Sequence, residues 1–336
     1  MNLSSRAPGV LFVTVLAVAA TFAAGLEPVQ ALRLSPLIVG ILIGVFLGNS
    51  LSARLPTSFQ EGITFCTKQV LRTAIVLYGF RITFTEIAAL GAHGLLLDVL
   101  MVSTTLCLGA FMGMRIFKID QATALMTSAG AAICGAAAVI ATEPVVQGKS
   151  HQTAAAVVTV VVFGTLSMFL YPILYRAGVF QMDPSTFGIY IGASVHEVAH
   201  VVGAGQAVSP ETADTAVIVK MTRVLLLAPA LLCMGWWVNR GKTTEDGRAI
   251  ALPIPWFAVG FIVVAGLNSL ALLPEGMVQT LIEVDTFLLT MAMTALGLNT
   301  IWSKFKGMGL GPMYLGIFLF IWLMGTGYIL TQLLMG

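Results

Sequence analysis

Long apolar runs constrain this chain more than any other feature in it. A bilayer core about 30 Å thick is crossed by about 20 apolar helical residues. Eleven segments come near that length: 9–25, 36–51, 60–80, 94–114, 121–146, 152–175, 187–208, 213–238, 253–273, 278–302 and 310–334. The stretches of alternating polarity that mark a membrane β-barrel are absent. Of the residues, 58% are apolar and 10% charged, where a soluble domain carries about 25% charge. A soluble fold so poor in charge could not cover its own surface, which excludes a soluble enzyme. Cys66, Cys107, Cys134 and Cys233 all fall in apolar segments without metal-ligand spacing, so a secreted disulfide scaffold is excluded too. The net charge of +2 comes from scattered residues and leaves no nucleic-acid footprint. The expectation is an all-α polytopic membrane protein, with one transmembrane domain over residues 1–336 and no soluble one.

Arg6 followed by an apolar run resembles a signal peptide. Its charged region is thin, and 9–25 is expected to remain as an extra N-terminal helix. Basic residues between spans set the orientation. With the N-terminus inside, the inner side holds Arg6, Arg54, Arg115, Lys118, Arg176, Arg240, Lys242, Arg248, Lys304 and Lys306. The outer side holds Arg33, Arg81 and Lys149. The N-terminus is therefore expected in the cytoplasm and the C-terminus outside.

Transporters are commonly built from inverted halves. An offset of 152 pairs Val39-Gly40 with Ile191-Gly192 and Lys68 with Lys220, and a slightly larger one brings Gly130 to Gly135 near Gly297. This predicts two inverted five-helix repeats, 36–178 and 187–334, with discontinuous helices.

Polar groups at bilayer depth are costly and therefore functional candidates. The fifth span carries Thr127 and Ser128 beside Gly130, Cys134 and Gly135, ending at Glu143-Pro144. Two glycines among alanines allow a broken helix, whose half-helix N-terminus aims N–H groups at an anion. Close helix packing by small residues is the alternative. The seventh span contains Ser194-Val195-His196-Glu197-Val198-Ala199-His200, which includes the zincin pattern of two imidazoles at i and i+4 with a glutamate between. Zinc needs a third protein ligand, and Asp98 and Asp285 lack a supporting motif. The commoner reading is a polar patch on a water-filled cavity, where histidine can carry a coupling proton.

The eighth span places Lys220 and Arg223 on one face, and the third does so with Lys68 and Arg72. Such cations must meet carboxylates, carbonyl oxygens or an anionic ligand. For Lys68 and Arg72, pairing with Glu197, Asp98 or Asp285 is the simple account. For Arg223 a ligand role is expected, because a guanidinium fork matches an oxyanion bidentately. Asn268 and Asn299 carry less weight.

At this point the chain resembles the bacterial YeiH-type inner-membrane family, which carries a sulfate-exporter label. The resemblance covers nearly the whole chain. It rests on the run from Leu71-Arg72-Thr73 to Phe80-Arg81, the run from Ile133-Cys134-Gly135 to Glu143-Pro144, and Phe163-Gly164-Thr165. It continues in Ser194-Val195-His196-Glu197-Val198-Ala199, Lys220-Met221-x-Arg223 and Ala292-Met293-x-Ala295-Leu296-Gly297-Leu298. One departure is His200, where the family leads one to expect Gln, so the complete zincin pattern looks accidental. The resemblance implies membership of the cation–proton antiporter and anion transporter group, with inverted repeats, two crossed broken helices and an elevator or rocking motion.

The resulting expectation is a secondary transporter of the cell inner (cytoplasmic) membrane, not an enzyme, exporting a small inorganic or sulfur-containing anion of the sulfate/sulfite class. Ser128, Gly130, Cys134, Gly135, Ser194, Lys220 and Arg223 are the expected substrate-binding residues, with His196 and Glu197 as the proton-coupling pair. No cofactor or metal is expected, and no nucleotide-binding loop is present. The expected partners are the anion, the lipid bilayer and a coupling ion, H⁺ or Na⁺; a homodimer is left open, and nucleic acid is not a partner. The alternative is an intramembrane zinc metalloprotease using His196, Glu197 and His200.

Overall fold

The structure, a computed structural model, describes residues 3–27, 29, 34–51, 56–239, 256–301 and 310–335. The basic residues Arg33, Arg54, Arg240, Lys242, Arg248, Lys304 and Lys306, used above for orientation, lie outside them. Among the described residues every regular element is helical. In chain order these are α1 (Leu3–Ala24), α2 (Pro36–Leu51), α3 (Thr57–Phe65), α4 (Leu71–Tyr78), α5 (Phe84–Ala89) and α6 (Gly91–Phe111). Then come α7 (Gln121–Ala132), α8 (Ala136–Val146), α9 (Ser150–Arg176), α10 (Pro184–Ser194), α11 (Val198–Gln206) and α12 (Pro210–Leu225). The chain closes with α13 (Leu227–Asn239), α14 (Trp256–Ser269), α15 (Glu275–Asn299) and α16 (Leu310–Met335). A π-helical turn, Cys66–Val70, joins α3 to α4, and another, Met112–Ile116, extends α6.

Among the described residues six helical runs are long and apolar enough to cross a membrane: Arg6–Ala24, Gly91–Ile116, His151–Arg176, Pro210–Val238, Glu275–Asn299 and Leu310–Met335. Pro36–Ser50, Ala136–Val146 and Trp256–Ser269 are shorter apolar helices. This is a membrane protein with several spans. The expected fifth and seventh spans are each two short helices separated by non-helical residues. The expected third is interrupted by its π turn and carries Lys68 and Arg72.

The chain forms two compact units: Met1–Ala89 with Trp256–Phe305, and Leu90–Pro255 with Lys306–Gly336. In the first, α2 packs on α15 through Gly40, Gly44 and Gly48, spaced as small residues that let helix backbones approach. A Cβ on Gly44 would stand 3.0 Å from the Gly297 Cα. Gly297 is thus a packing glycine within the unbroken α15, while the two interrupted spans are the fifth and seventh, which the 152 offset does not pair. Val13 and Ala17 of α1 are fully buried beside Ile63, Cys66 and Ala295. Arg81, expected in an outer loop, turns inward: its Nε meets Asp285 Oδ2 at 3.0 Å, and its Nη2 donates to Thr286 Oγ1 at 2.6 Å and to the Ile282 carbonyl at 3.1 Å.

The second unit holds the two interrupted spans, with α6, α9, α12 and α16 around them. Its core joins Leu97 and Met101 of α6, Ala124 and Ala131 of α7, Ala193 of α10, Val219 of α12 and Leu319 of α16.

Candidate functional site

The first break begins from a firmly started helix. Asp120 caps α7, accepting from the Thr123 N–H at 2.9 Å and the Thr123 hydroxyl at 2.7 Å. The helix ends at Ile133, with φ −118° and ψ −82°. Gly135 then takes φ 75° and ψ −138°, a backbone state that side chains oppose, and α8 starts at Ala136. The Gly135 N–H reaches back to the Gly130 carbonyl at 2.9 Å. Gly130 itself stays helical and serves packing: a Cβ there would meet Val139 and Val160 methyls at 2.7 Å. Of the two glycines read as the cause of the break, Gly135 is the one whose backbone requires it.

The second break has no glycine. Asp183 caps α10, accepting from the Ser185 N–H at 3.0 Å and the Thr186 N–H at 3.1 Å. Thr186 and Ser185 hold that carboxyl, which lies before the helix, below the usual carboxylate range. Helix α10 stops at Ser194; Val195 (ψ 142°) and Glu197 (φ −127°, ψ 146°) are extended, and α11 starts at Val198. The expected span over 187–208 is therefore a discontinuous helix, interrupted at Val195, His196 and Glu197. His196 and Glu197 lie in the extended link and His200 in the first turn of α11, so the two imidazoles do not share a helical face. The zinc-protease alternative loses the geometry its motif depends on.

Each break leaves the carbonyls of a helix C-terminus without helical partners, and α12 supplies them. Lys220 and Arg223 are fully buried on one face of α12. Lys220 Nζ donates to the Val195 carbonyl at 2.7 Å. Arg223 donates through Nε to the Ala132 carbonyl, through Nη1 to the Ala193 carbonyl, and through Nη2 to the Ala131 carbonyl at 3.2 Å. A single guanidinium therefore ties the C-terminal ends of α7 and α10 together. Those ends carry partial negative charge from the helix dipoles, which the two cations offset.

The restarting ends also meet. A Cβ on Gly135 would come 3.0 Å from the Glu197 Cβ and 3.2 Å from its Cγ, so glycine also makes room for the second break. Glu197 Oε2 stands 3.6 Å from His200 Nδ1, an approach too long for a hydrogen bond. His200 Nε2 lies 3.2 Å from the Thr165 hydroxyl. Gly164 vacates the space its ring occupies, since a Cβ there would lie 2.5 Å from Nδ1. The Phe163-Gly164-Thr165 motif is thus the seat of His200. His196 is buried with Nδ1 unbonded.

Cys134, Gly135, Ser194, His196, Glu197, Lys220 and Arg223 thus gather around the two breaks. Ser128 and Gly130 stand further back in α7. The Ser128 and Ser194 hydroxyls donate to the Ala124 and Tyr190 carbonyls of their own helices. Asp98 of α6, noted in the sequence without a motif, is fully buried with neither oxygen hydrogen-bonded, and Lys220 and Arg223 are the cations that face it. Its isolation in sequence explains why it did not stand out. The Tyr171 ring stacks on Tyr190 of α10 at 4.9 Å between centroids and has no sequence signal beyond its aromatic type.

The family described as conserved hypothetical protein 698 matches residues 8–316. A UPF0324 membrane protein of Pseudomonas aeruginosa is 47% identical over 332 residues, covering 97% of this chain and 94% of its own. One from Bacteroides thetaiotaomicron is 45% identical over 329 residues, covering 97% and 98%. The UPF0324 inner membrane protein YeiH of Escherichia coli K12 is 44% identical over 320 residues, covering 95% and 92%. Among solved structures, the sodium proton antiporter MjNhaP1 of Methanocaldococcus jannaschii at pH 8 aligns with 94% of this chain and 99% of its own, at 11% identity and a TM-score of 0.32.

Proposed function

The chain belongs to the family described as conserved hypothetical protein 698, with the UPF0324 inner membrane protein YeiH among its relatives, and from that premise we propose that it is a secondary transporter of the cytoplasmic membrane moving a small anion of the sulfate/sulfite class outward. One observation carries the reading: two discontinuous helices meet inside a membrane unit, and buried Lys220 and Arg223 lie across both breaks. Discontinuous helices at bilayer depth are tolerated where they are buried or line a cavity, and transporters place their substrates there. The free N–H groups that begin α8 and α11 offer an anion its hydrogen bonds.

In this reading Arg223 is a positioning residue. Three of its N–H groups already go to carbonyls, so it holds the two half-helix ends in register. Lys220 has one donor committed and two to offer. Glu197, at the start of α11, takes up the coupling proton with His196 beside it and His200 facing its carboxyl. A proton on Glu197 removes the negative charge nearest the α8 and α11 N-termini and makes room for the anion's. The N-terminus is cytoplasmic, H⁺ rather than Na⁺ is the coupling ion, and a homodimer is not required by the site.

The test is counterflow in proteoliposomes carrying the purified protein, with labelled sulfate, sulfite and thiosulfate and an imposed pH gradient. Accumulation of at least one anion that follows the gradient is expected. A folded protein that moves none of the three under either gradient direction would overturn the reading.

A further inference from the structure

A carboxylate that stabilises a fold touches its cation, as Asp285 does in meeting Arg81 at 3.0 Å. Asp98 behaves differently. It is fully buried, both of its oxygens lack a hydrogen-bond partner, and among the described residues it makes no ion pair. A carboxylate left charged and unbonded in a buried place is costly, so its position needs a reason.

Leu97, Asp98, Met101, Val102 and Thr105 form one buried face of α6. Leu97 and Met101 share a core cluster with Ala131, Ala193 and Val219. Ala131 and Ala193 are residues whose carbonyls Arg223 binds, and Val219 immediately precedes Lys220. A Cβ on Gly327 of α16 would lie 3.0 Å from the Ser194 Cβ and 3.4 Å from the Met101 Cε, so Met101 also reaches the last residue of α10. Asp98, about one turn before Met101, therefore lies beside the clamp, with Lys220 and Arg223 as the cations facing it. Of the other helices packed against α6, α7 carries no titratable side chain, and α10 and α16 carry only the tyrosines Tyr190, Tyr314 and Tyr328. Glu211 and Asp214 sit at the start of α12, more than a turn before Lys220. Glu197 is faced by Lys220, by His200 at 3.6 Å and by the buried Cys134 thiol.

Lys220 and Arg223 donate to carbonyls, whose partial charges do not cancel a formal one. The two buried cations are balanced by two carboxylates, Asp98 and Glu197, and Glu197 too has its Oε2 unbonded. An imidazolium needs an acceptor on both ring nitrogens; Nδ1 of His196 and of His200 is unbonded, so neither ring adds a charge. Tyrosines and a thiol are neutral at pH 7. The empty cluster is thus neutral, and a bound dianion would leave two negative charges uncompensated in a buried site. A proton on Asp98 breaks no hydrogen bond and no ion pair. We infer that Asp98 is the second proton carrier of the site: a dianion binds together with two protons, one on Asp98 and one on Glu197, and crosses as a neutral load. Both protons come from the water on the side where the anion enters and leave with it on the other. Export then runs wherever the anion's outward gradient exceeds the square of the inward proton gradient. This assignment rests on the transport reading.

The test uses the full chain in proteoliposomes with labelled sulfate, and with thiosulfate as a second dianion. With the membrane potential clamped at zero, a gradient of one pH unit should drive the steady-state anion ratio about a hundredfold, about tenfold for each proton. With no pH gradient, a tenfold potassium gradient in the presence of valinomycin should leave the ratio unmoved. In Asp98→Asn the pH unit should be worth only about tenfold. The potassium gradient should now move the ratio by about tenfold as well, because one net charge crosses with each anion. Asp98→Glu, which keeps the carboxyl, should behave as wild type. An Asp98→Asn protein that binds without transporting is read by a pH dye in weakly buffered alkaline micelles, with about two protons taken up per sulfate in wild type and about one in the variant. Equal proton counts in wild type and Asp98→Asn overturn the assignment, as does a wild-type ratio that follows potassium. A folded wild-type protein that moves neither dianion overturns the transport reading itself.

Discussion

Replacing Arg223 by lysine separates the fork from the charge. The guanidinium makes three bonds to carbonyls of Ala131, Ala132 and Ala193, on two different half-helices. Net contributions of hydrogen bonds to charged groups run about 1.5–3 kcal/mol each. A lysine ammonium is a single point donor, and from the same Cα it retains one of the three. Two lost bonds amount to about 3–6 kcal/mol, with the carbonyls left unpaired in a buried site. Arg176→Lys is the internal control, because exposed Arg176 makes one carbonyl bond, to Ala207, which lysine can keep. That change should stay within about 0.5 kcal/mol. Equilibrium unfolding of the purified variants in mixed micelles measures both, and anion isotherms corrected for folded fraction measure binding. Arg223→Lys should be far less stable than Arg176→Lys, while its folded fraction binds anion with near-normal affinity. Equal stability of the two variants would refute the clamp. A stable Arg223→Lys protein with weakened binding would return Arg223 to the direct-ligand role that its fork alone predicts.

Three further outcomes are expected. Gly135→Val should insert in the membrane and lose transport, since it opposes both the φ of 75° and the Glu197 side chain; a backbone penalty of about 1–3 kcal/mol attends the conformation alone, and wild-type counterflow would remove the first break from the site. Glu197→Gln mimics a permanently protonated carboxyl, so it should bind anion well and lose the share of the pH dependence of transport that Glu197 carries; a variant that keeps the wild-type pH profile would show that Glu197 carries no coupling proton. Asp183→Ala should cost about 1 kcal/mol as a lost cap. Because its carboxyl is held below 3.8 by Thr186 and Ser185, the wild-type advantage should be full above pH 3.8 and fade as pH falls through the lowered value, which unfolding at stepped pH reads directly.

The two breaks differ in how far a sequence can announce them. Gly135 does so because one residue type is at ease with its backbone, and the spot is visible as a glycine among alanines. Ser194-Val195-His196-Glu197 contains nothing that forbids a helix. What stops α10 there is tertiary: Lys220 takes the Val195 carbonyl and Arg223 the Ala193 carbonyl, an arrangement written in α12 rather than in the segment that breaks. For the same reason a spacing rule misreads His196 and His200, since an i, i+4 pattern has meaning only while the chain between them is helical. The cations were legible as anomalies in an apolar chain, and their partners were not, because every residue owns a carbonyl and only the fold decides which are left without a helical donor. Gly297 illustrates the converse, a glycine whose sequence context matches a break and whose actual neighbour, Gly44, makes it a contact point. A buried cation in a membrane helix is therefore best tested first against the carbonyl ends of interrupted helices and only then against a ligand. By that test Arg223 and Lys220 find their partners within the second unit, whereas Lys68 and Arg72 are exposed and, among the described residues, have no ion pair with Glu197, Asp98 or Asp285, which corrects the expected pairing.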